Sequence, residues 1–257
     1  MKLSQFSVRL CILLLIYCLA GCGSDETTQE VSAPVAAEKP VQVQQTNTDD
    51  ITTAVATATD QHQDNALALY AAGLSNDNPA EIFTAIDQLE QACLKNPGNN
   101  LCWIDLADAY FYSDNLLQYP YAIELYWMLY HEAETDSNLL LARLVEAYQK
   151  IGNPQAAFDV ATERLRQATA TEIQNSALQL TWLAVENDRY QETAELLSTT
   201  ATSSDNAEFL QLLAASLHEL NGDDDSARKA IDQALANLTA DTPLFKLAQQ
   251  VRGRLAQ

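Results

Sequence analysis

From Ala66 onward the apolar residues recur at helical spacing, and equivalent starts fall near Ala66, Asn100, Asn138, Gln174, Glu208 and Thr242, in steps of 34, 38, 36, 34 and 34 residues. A step of that length held over the whole segment describes a two-helix unit that cannot bury its apolar face alone and must stack on the next copy. No convincing alternating strand interrupts the pattern, and glycine is scarce at 7 residues in 257, so the segment is read as all helix. The breaks fall at Ser75-Asn76-Asp77-Asn78-Pro79, Asn96-Pro97-Gly98-Asn99, Gly152-Asn153-Pro154, Asn187-Asp188, Ser203-Ser204-Asp205, Asn221-Gly222-Asp223 and Asp241-Thr242-Pro243. Asn and Asp cap free amides there, Pro fits a first helical turn and Gly closes the preceding helix. About eleven helices are expected.

Particular residues give the repeat its character. The second unit carries Trp103, Leu106, Ala107 and Tyr110 at its fourth, seventh, eighth and eleventh places. The first supplies Ala85, Leu89, Ala92 and Pro97 in its second half, the third Leu141, Leu144, Tyr148, Gly152 and Ala157, and the fifth Ala215, Gly222, Ala227, Ile231 and Ala234. This pattern resembles the tetratricopeptide repeat (TPR). The resemblance implies an αα-superhelix of about five helix pairs plus a C-terminal capping helix over residues 65–257. Val145 and Arg164 stand where small residues are usual, the fourth unit fits loosely around Thr193-Ala194, and the second carries about four extra residues near Leu116-Leu117-Gln118-Tyr119-Pro120.

The same resemblance implies a groove lined by the second, fifth, ninth, twelfth and thirteenth residues of each first helix. That register selects Tyr70, Asp108, Phe111, Tyr112, Glu146, Gln149, Lys150, Trp182, Glu186 and Glu219. Nine of the 19 aromatic residues lie between Trp103 and Tyr130. Trp103, Tyr110 and Tyr126 fall where the repeat needs bulk. Phe111, Tyr112, Tyr119, Tyr121 and Trp127 have no such duty and are candidates either for partner binding or for packing the extra residues. Aromatic side chains offer rigid contact area, and acids beside them favour a basic partner. The Lys and Asn clamp of the chaperone-binding members of the family is missing.

At the N-terminus, Lys2 and Arg9 precede a short apolar run ending in Leu19-Ala20-Gly21-Cys22. The run is shorter than the roughly 20 residues that a spanning helix needs. The four closing residues resemble a bacterial lipobox, which implies removal of residues 1–21 and lipid on Cys22. Gly23, in place of Asp, fits export to the outer membrane. Residues 22–64 contain no aromatic residue and no Leu, so they are expected to form a disordered tether with an average reach of about 35 Å.

Losing Lys2 and Arg9 with the leader takes the formal charge from −21 to −23. Such a chain is repelled by nucleic acid and by anionic lipid, so membrane attachment is expected through the lipid anchor and any charged partner is expected to be basic. Catalysis finds little foothold: His62, His131 and His218 lie on separate segments, and no nucleophile has an evident base. His131-Glu132 lacks the second His of a zinc-protease helix, because residue 135 is Thr. Asp223-Asp224-Asp225 lacks the alternation of a calcium loop. No catalytic residue, metal or cofactor is expected. Cys93 and Cys102 flank one turn and are either bridged or two small core residues. Two functions fit: a lipoprotein scaffold holding a periplasmic or outer-membrane protein, or a small-ligand carrier working with a periplasmic transporter.

Overall fold

The computed structural model describes residues 48–132, 137–240 and 242–256, with side chains from residue 61 onward except that of residue 132. The lipobox with Cys22, and the tether up to residue 47, lie outside the described residues. Among the described residues there are eleven helices and no strand. They are α1 (Thr48–Ser75), α2 (Pro79–Lys95), α3 (Asn100–Tyr112), α4 (Tyr119–Glu132), α5 (Ser137–Lys150), α6 (Pro154–Gln167), α7 (Ile173–Glu186), α8 (Tyr190–Ala201), α9 (Ala207–Asn221), α10 (Asp224–Asn237) and α11 (Pro243–Leu255).

Turn chemistry sets most of these ends. Pro79, Pro154 and Pro243 open α2, α6 and α11, where a missing N–H costs nothing. The side chains of Asn99, Asn153, Asp223 and Thr242 accept from the amides of Cys102, Ala156, Ser226 and Phe245 at 3.1 to 3.3 Å, each such cap contributing about 1 kcal/mol. Gly222 closes α9 with φ 77° while Asp223 N–H donates to His218 O at 2.9 Å, a left-handed closure that suits glycine. Asn78 makes no side-chain cap.

Helix α1 starts at Thr48, ahead of Ala66, the first residue of the repeat register. Helix α1 has no proline, and its only glycine is Gly73. Once buried Ala66 and Tyr70 hold the downstream turns, each further residue adds a hydrogen bond without a new nucleation cost.

The chain divides into two compact units at Gly98–Asn99. In the first, α1 and α2 form a hairpin whose buried residues include Ala66, Tyr70, Ile82, Ala85, Ile86 and Leu89. The helices come so close that a Cβ on Gly73 would lie 2.9 Å from Ile82 Cγ1 and 3.0 Å from Ile82 N.

In the second unit, consecutive helices from α3 to α11 pack on one another. Ala107, Ala122, Ala157, Ala161, Ala215, Ala227 and Ala234 are fully buried, as needed where two helices cross closely. Arg164, at a usual alanine place, is accommodated by polar bonds: its Nε donates to Asn138 Oδ1 at 3.0 Å and its Nη1 to Gln179 Oε1 at 2.6 Å, joining α6 to α5 and α7. Helix α8 packs much more extensively on α9 than on its own partner α7. Helix α9, which α8 helps to cover, is buried all round from Phe209 to His218. Helix α11 closes the array: Ala248, Val251 and Leu255 complete a cluster with Leu212, Ala215, Ile231 and Ala234, and Arg228 Nε donates to Leu255 O at 2.8 Å.

Candidate partner-binding cleft

Helix α3 delivers Phe111 and Tyr112 at its C-terminal end, and the chain then turns through Asp114, whose φ of 51° is left-handed. Asn115 Oδ1 accepts from Leu117 N–H at 3.0 Å, tightening the turn before α4 begins at Tyr119. Pro120, one place into the helix, needs no amide partner. Tyr119 is 1 % exposed, and its hydroxyl donates to Asp114 Oδ1 at 2.9 Å. Burial first, and then this bond to a carboxylate, push the Tyr119 phenol up to about 12. The reciprocal bond, helped by Lys150 at 3.6 Å, holds the Asp114 carboxyl below its usual range.

Helix α5 lies against this corner with Glu146, Gln149 and Lys150. Together Phe111, Tyr112, Asp114, Tyr119, Glu146, Gln149 and Lys150 line an open cleft of about 680 Å³. Phe111 forms its aromatic floor, edge-on to Tyr112 at 4.9 Å and tilted against Tyr119 at 5.7 Å. Leu116 and Leu117, 68 % and 79 % exposed, stand on the neighbouring turn with the exposed ring of Tyr121 at the start of α4.

Behind the cleft lies a charged brace. The hydroxyl of Tyr126, a residue with no exposed surface, donates to Asp108 Oδ1 at 2.5 Å. Arg143 Nε stands 3.4 Å from the same oxygen, and its guanidinium lies 5.0 Å from the Tyr112 ring centre. Burial works against the Arg143 charge, but Asp108 and the surrounding groups outweigh it and raise its pKa. Burial lifts Tyr112 above the usual phenol range while Arg143 opposes it, and burial with Asp108 lifts Tyr126 far above it. The brace orients Tyr112 through a cation–π contact of the kind that contributes about 0.5–1 kcal/mol at partly exposed sites.

Of the residues selected from sequence, Phe111, Tyr112, Tyr119, Glu146, Gln149 and Lys150 meet in this cleft, and Asp108 supports it from behind. Phe111 and Tyr119 are buried, so they shape its floor and wall instead of presenting a free surface. Tyr70 is 8 % exposed and belongs to the core of the first unit. Trp127 is half-buried, stacked on His131 at 5.4 Å, and donates from Nε1 to Tyr148 Oη at 3.0 Å, which ties α4 to α5. Trp182 and Glu186 are exposed on α7 but do not line the cleft, and Glu219 is paired with Arg254 at 3.1 Å. Cys93 and Cys102 are both buried and disulfide-bonded. Arg143 and Asp114 were not selected from sequence: Arg143 falls outside the groove register, and Asp114 lies beyond its helix.

No protein-family model matches the chain, and no curated protein does. Among solved structures it is similar to a tetratricopeptide repeat protein from Parabacteroides merdae, at 14 % identity over 76 % of this chain and 72 % of that one, with a TM-score of 0.45. It is also similar to YrrB, described as a TPR protein with an unusual peptide-binding site, at 12 % identity over 77 % and 98 %, with a TM-score of 0.43. A third is a TPR protein of Thermus thermophilus, at 18 % identity over 75 % and 98 %, with a TM-score of 0.38. By its own helix hairpins, their period and the buried small residues at their crossings, the chain has a TPR-like all-α fold.

Proposed function

We propose that this protein is a non-enzymatic interaction scaffold that holds a segment of a partner protein in the α3–α5 cleft. One observation carries the reading: six residues selected by repeat register or by aromatic content converge on one cleft, beside a turn that exposes Leu116, Leu117 and Tyr121. Contiguous exposed apolar side chains of this kind mark interaction surfaces. The phenyl floor suits an apolar anchor, and Glu146 with Asp114 at the edges suits a neighbouring Lys or Arg on the partner. The chain's charge of −21 favours encounter with such a basic segment.

The lipobox-like Leu19-Ala20-Gly21-Cys22 supports a further part of the proposal: the mature chain is lipid-anchored at Cys22 on the periplasmic face of the outer membrane and serves a periplasmic or outer-membrane protein. Two or more acyl chains hold a protein on a bilayer far more firmly than one. The test is a photo-crosslinking residue placed in cells at Tyr112 or Leu117, with the highly exposed Asp225 on α10 as control. A discrete protein adduct at 112 and 117 but not at 225 is expected; equal labelling at all three places would contradict the cleft. Mass analysis of the mature N-terminus tests the anchor, and an unmodified Cys22 would remove it.

A further inference from the structure

A second cleft, of about 590 Å³, lies where α8 ends, α9 begins and α10 ends. Its lining is polar: Thr202, Ser204, Asp205, Glu208, Gln211, Gln233 and Asn237, with Ala201 and Ala207. No Lys or Arg belongs to it. Neither Asp205 nor Glu208 is ion-paired among the described residues. Two of the available donors are already spent, Thr202 Oγ1 on Thr199 O at 2.7 Å and Asn237 Nδ2 on Gln233 O at 3.3 Å. What faces the space is therefore rich in acceptors.

The helix ends add to this. The C-terminal ends of α8 and α10 reach the cleft at Ala201 and Asn237, and neither helix has a basic residue in its last turn. Each such end carries about half a negative charge. One helix N-terminus, that of α9, carries the opposite partial charge, but two full carboxylates stand beside it. The balance attracts a cation.

Gln211 supplies an independent observation. It is 8 % exposed and lines the cleft, yet its buried Oε1 has no hydrogen-bond partner. A buried amide oxygen left without a donor costs about 1–3 kcal/mol, and a turn of the Gln211 side chain toward the cleft it lines would let a ligand that brings an N–H remove this deficit. The required ligand is cationic, carries several N–H donors in a fixed array, and bonds two carboxylates and an amide oxygen together. A guanidinium has five such donors in a planar fork, whereas an ammonium is a compact and strongly hydrated point charge.

We propose that this cleft is a guanidinium-binding site formed by Asp205, Glu208 and Gln211. The guanidinium comes either from an arginine side chain of a protein or from a free arginine-type molecule. The site is independent of the α3–α5 cleft, and the reading of either can fail without the other.

The test is a titration of the full-length chain in non-ionic detergent at constant ionic strength, followed by the side-chain amide resonance of Gln211 and by calorimetry. The probes are N-acetyl-arginine amide, free arginine and N-acetyl-lysine amide. Saturable one-to-one binding of the arginine probes is expected, with the lysine probe weaker by about tenfold, or about 1.4 kcal/mol. A preference for N-acetyl-arginine amide over free arginine assigns the source to a protein side chain, and the reverse assigns it to the small molecule. The double substitution Asp205→Asn with Glu208→Gln changes two solvent-accessible charges without removing bulk, and it should weaken binding at least about tenfold. Gln211→Met should do the same with helicity retained. Absence of saturable binding, equal binding of the lysine probe, or full affinity in the Asp205→Asn, Glu208→Gln protein would overturn the assignment.

Discussion

Replacing Tyr126 by Phe removes a single oxygen from the brace behind the α3–α5 cleft. That hydroxyl donates to Asp108 at 2.5 Å from a side chain with no exposed surface. A hydrogen bond to a charged group contributes about 1.5–3 kcal/mol. Asp108 is itself 30 % exposed and keeps Arg143 at 3.4 Å, so water and the guanidinium replace part of what is lost. The expected cost is therefore near the lower bound, about 1.5 kcal/mol. Asp108→Ala should cost more, about 2–3 kcal/mol, because it leaves a buried hydroxyl unpaired and deprives Arg143 of its nearest carboxylate. Together the two changes should cost less than their sum, with a coupling of about 1 kcal/mol. Urea denaturation followed by circular dichroism and by tryptophan fluorescence measures this, the two probes checking that the unit unfolds cooperatively. In a thermal scan the single Phe variant should melt about 3–6 °C lower, at about 2–4 °C per kcal/mol for a domain of this size. A Tyr126→Phe cost below about 0.5 kcal/mol, or strict additivity with Asp108→Ala, would refute the brace.

Gly73→Ala should destabilise the first unit much more than Gly253→Ala does the second. The new methyl meets Ile82 side chain and backbone at 2.9 and 3.0 Å, whereas nothing lies within 4 Å at Gly253; paired melting curves decide it. Stability should fall as pH rises from about 10, the free phenol value, toward about 12, where folded Tyr119 ionises. The sign follows because the unfolded chain releases the proton first, and Tyr119→Phe should flatten the decline. Arg164→Ala should cost about 2 kcal/mol, because it strips buried Asn138 of its 3.0 Å partner; an unchanged urea midpoint would show that the network contributes nothing. Denatured, unreduced protein should leave Cys93 and Cys102 unlabelled by an alkylating reagent, since both are disulfide-bonded, and quantitative labelling would contradict the bond.

Local turn chemistry makes several helix ends legible: Pro79, Pro154 and Pro243 mark starts, and Asn99, Asn153, Asp223 and Thr242 cap as their types require, whereas α2, α8 and α9 start without a side-chain cap. The turns of α1 before Ala66 carry little apolar signal, and they extend the helix by propagation from the turns that buried Ala66 and Tyr70 hold. In the cleft, repeat register located Glu146, Gln149 and Lys150, since helical geometry alone decides which face they share. Tyr119 falls among the extra residues, where the sequence leaves partner binding and packing both open; the structure buries it, with Pro120 letting α4 start there and Asp114 satisfying its hydroxyl. Arg143 escaped notice because its place depends on reach: a long side chain spans from α5 back to Asp108 and Tyr112. The polar cleft around Gln211 joins three helix ends distant in sequence, and no local pattern announces it.

The most direct test of the central claim is hydrogen exchange on the full-length chain, alone and with the protein that crosslinks at Leu117. If the α3–α5 cleft holds the partner, amide exchange should slow at residues 111–121 and 146–150, and the α10–α11 hairpin should exchange as before. Slowing confined to helices outside the cleft, with 111–121 and 146–150 unchanged, would contradict it.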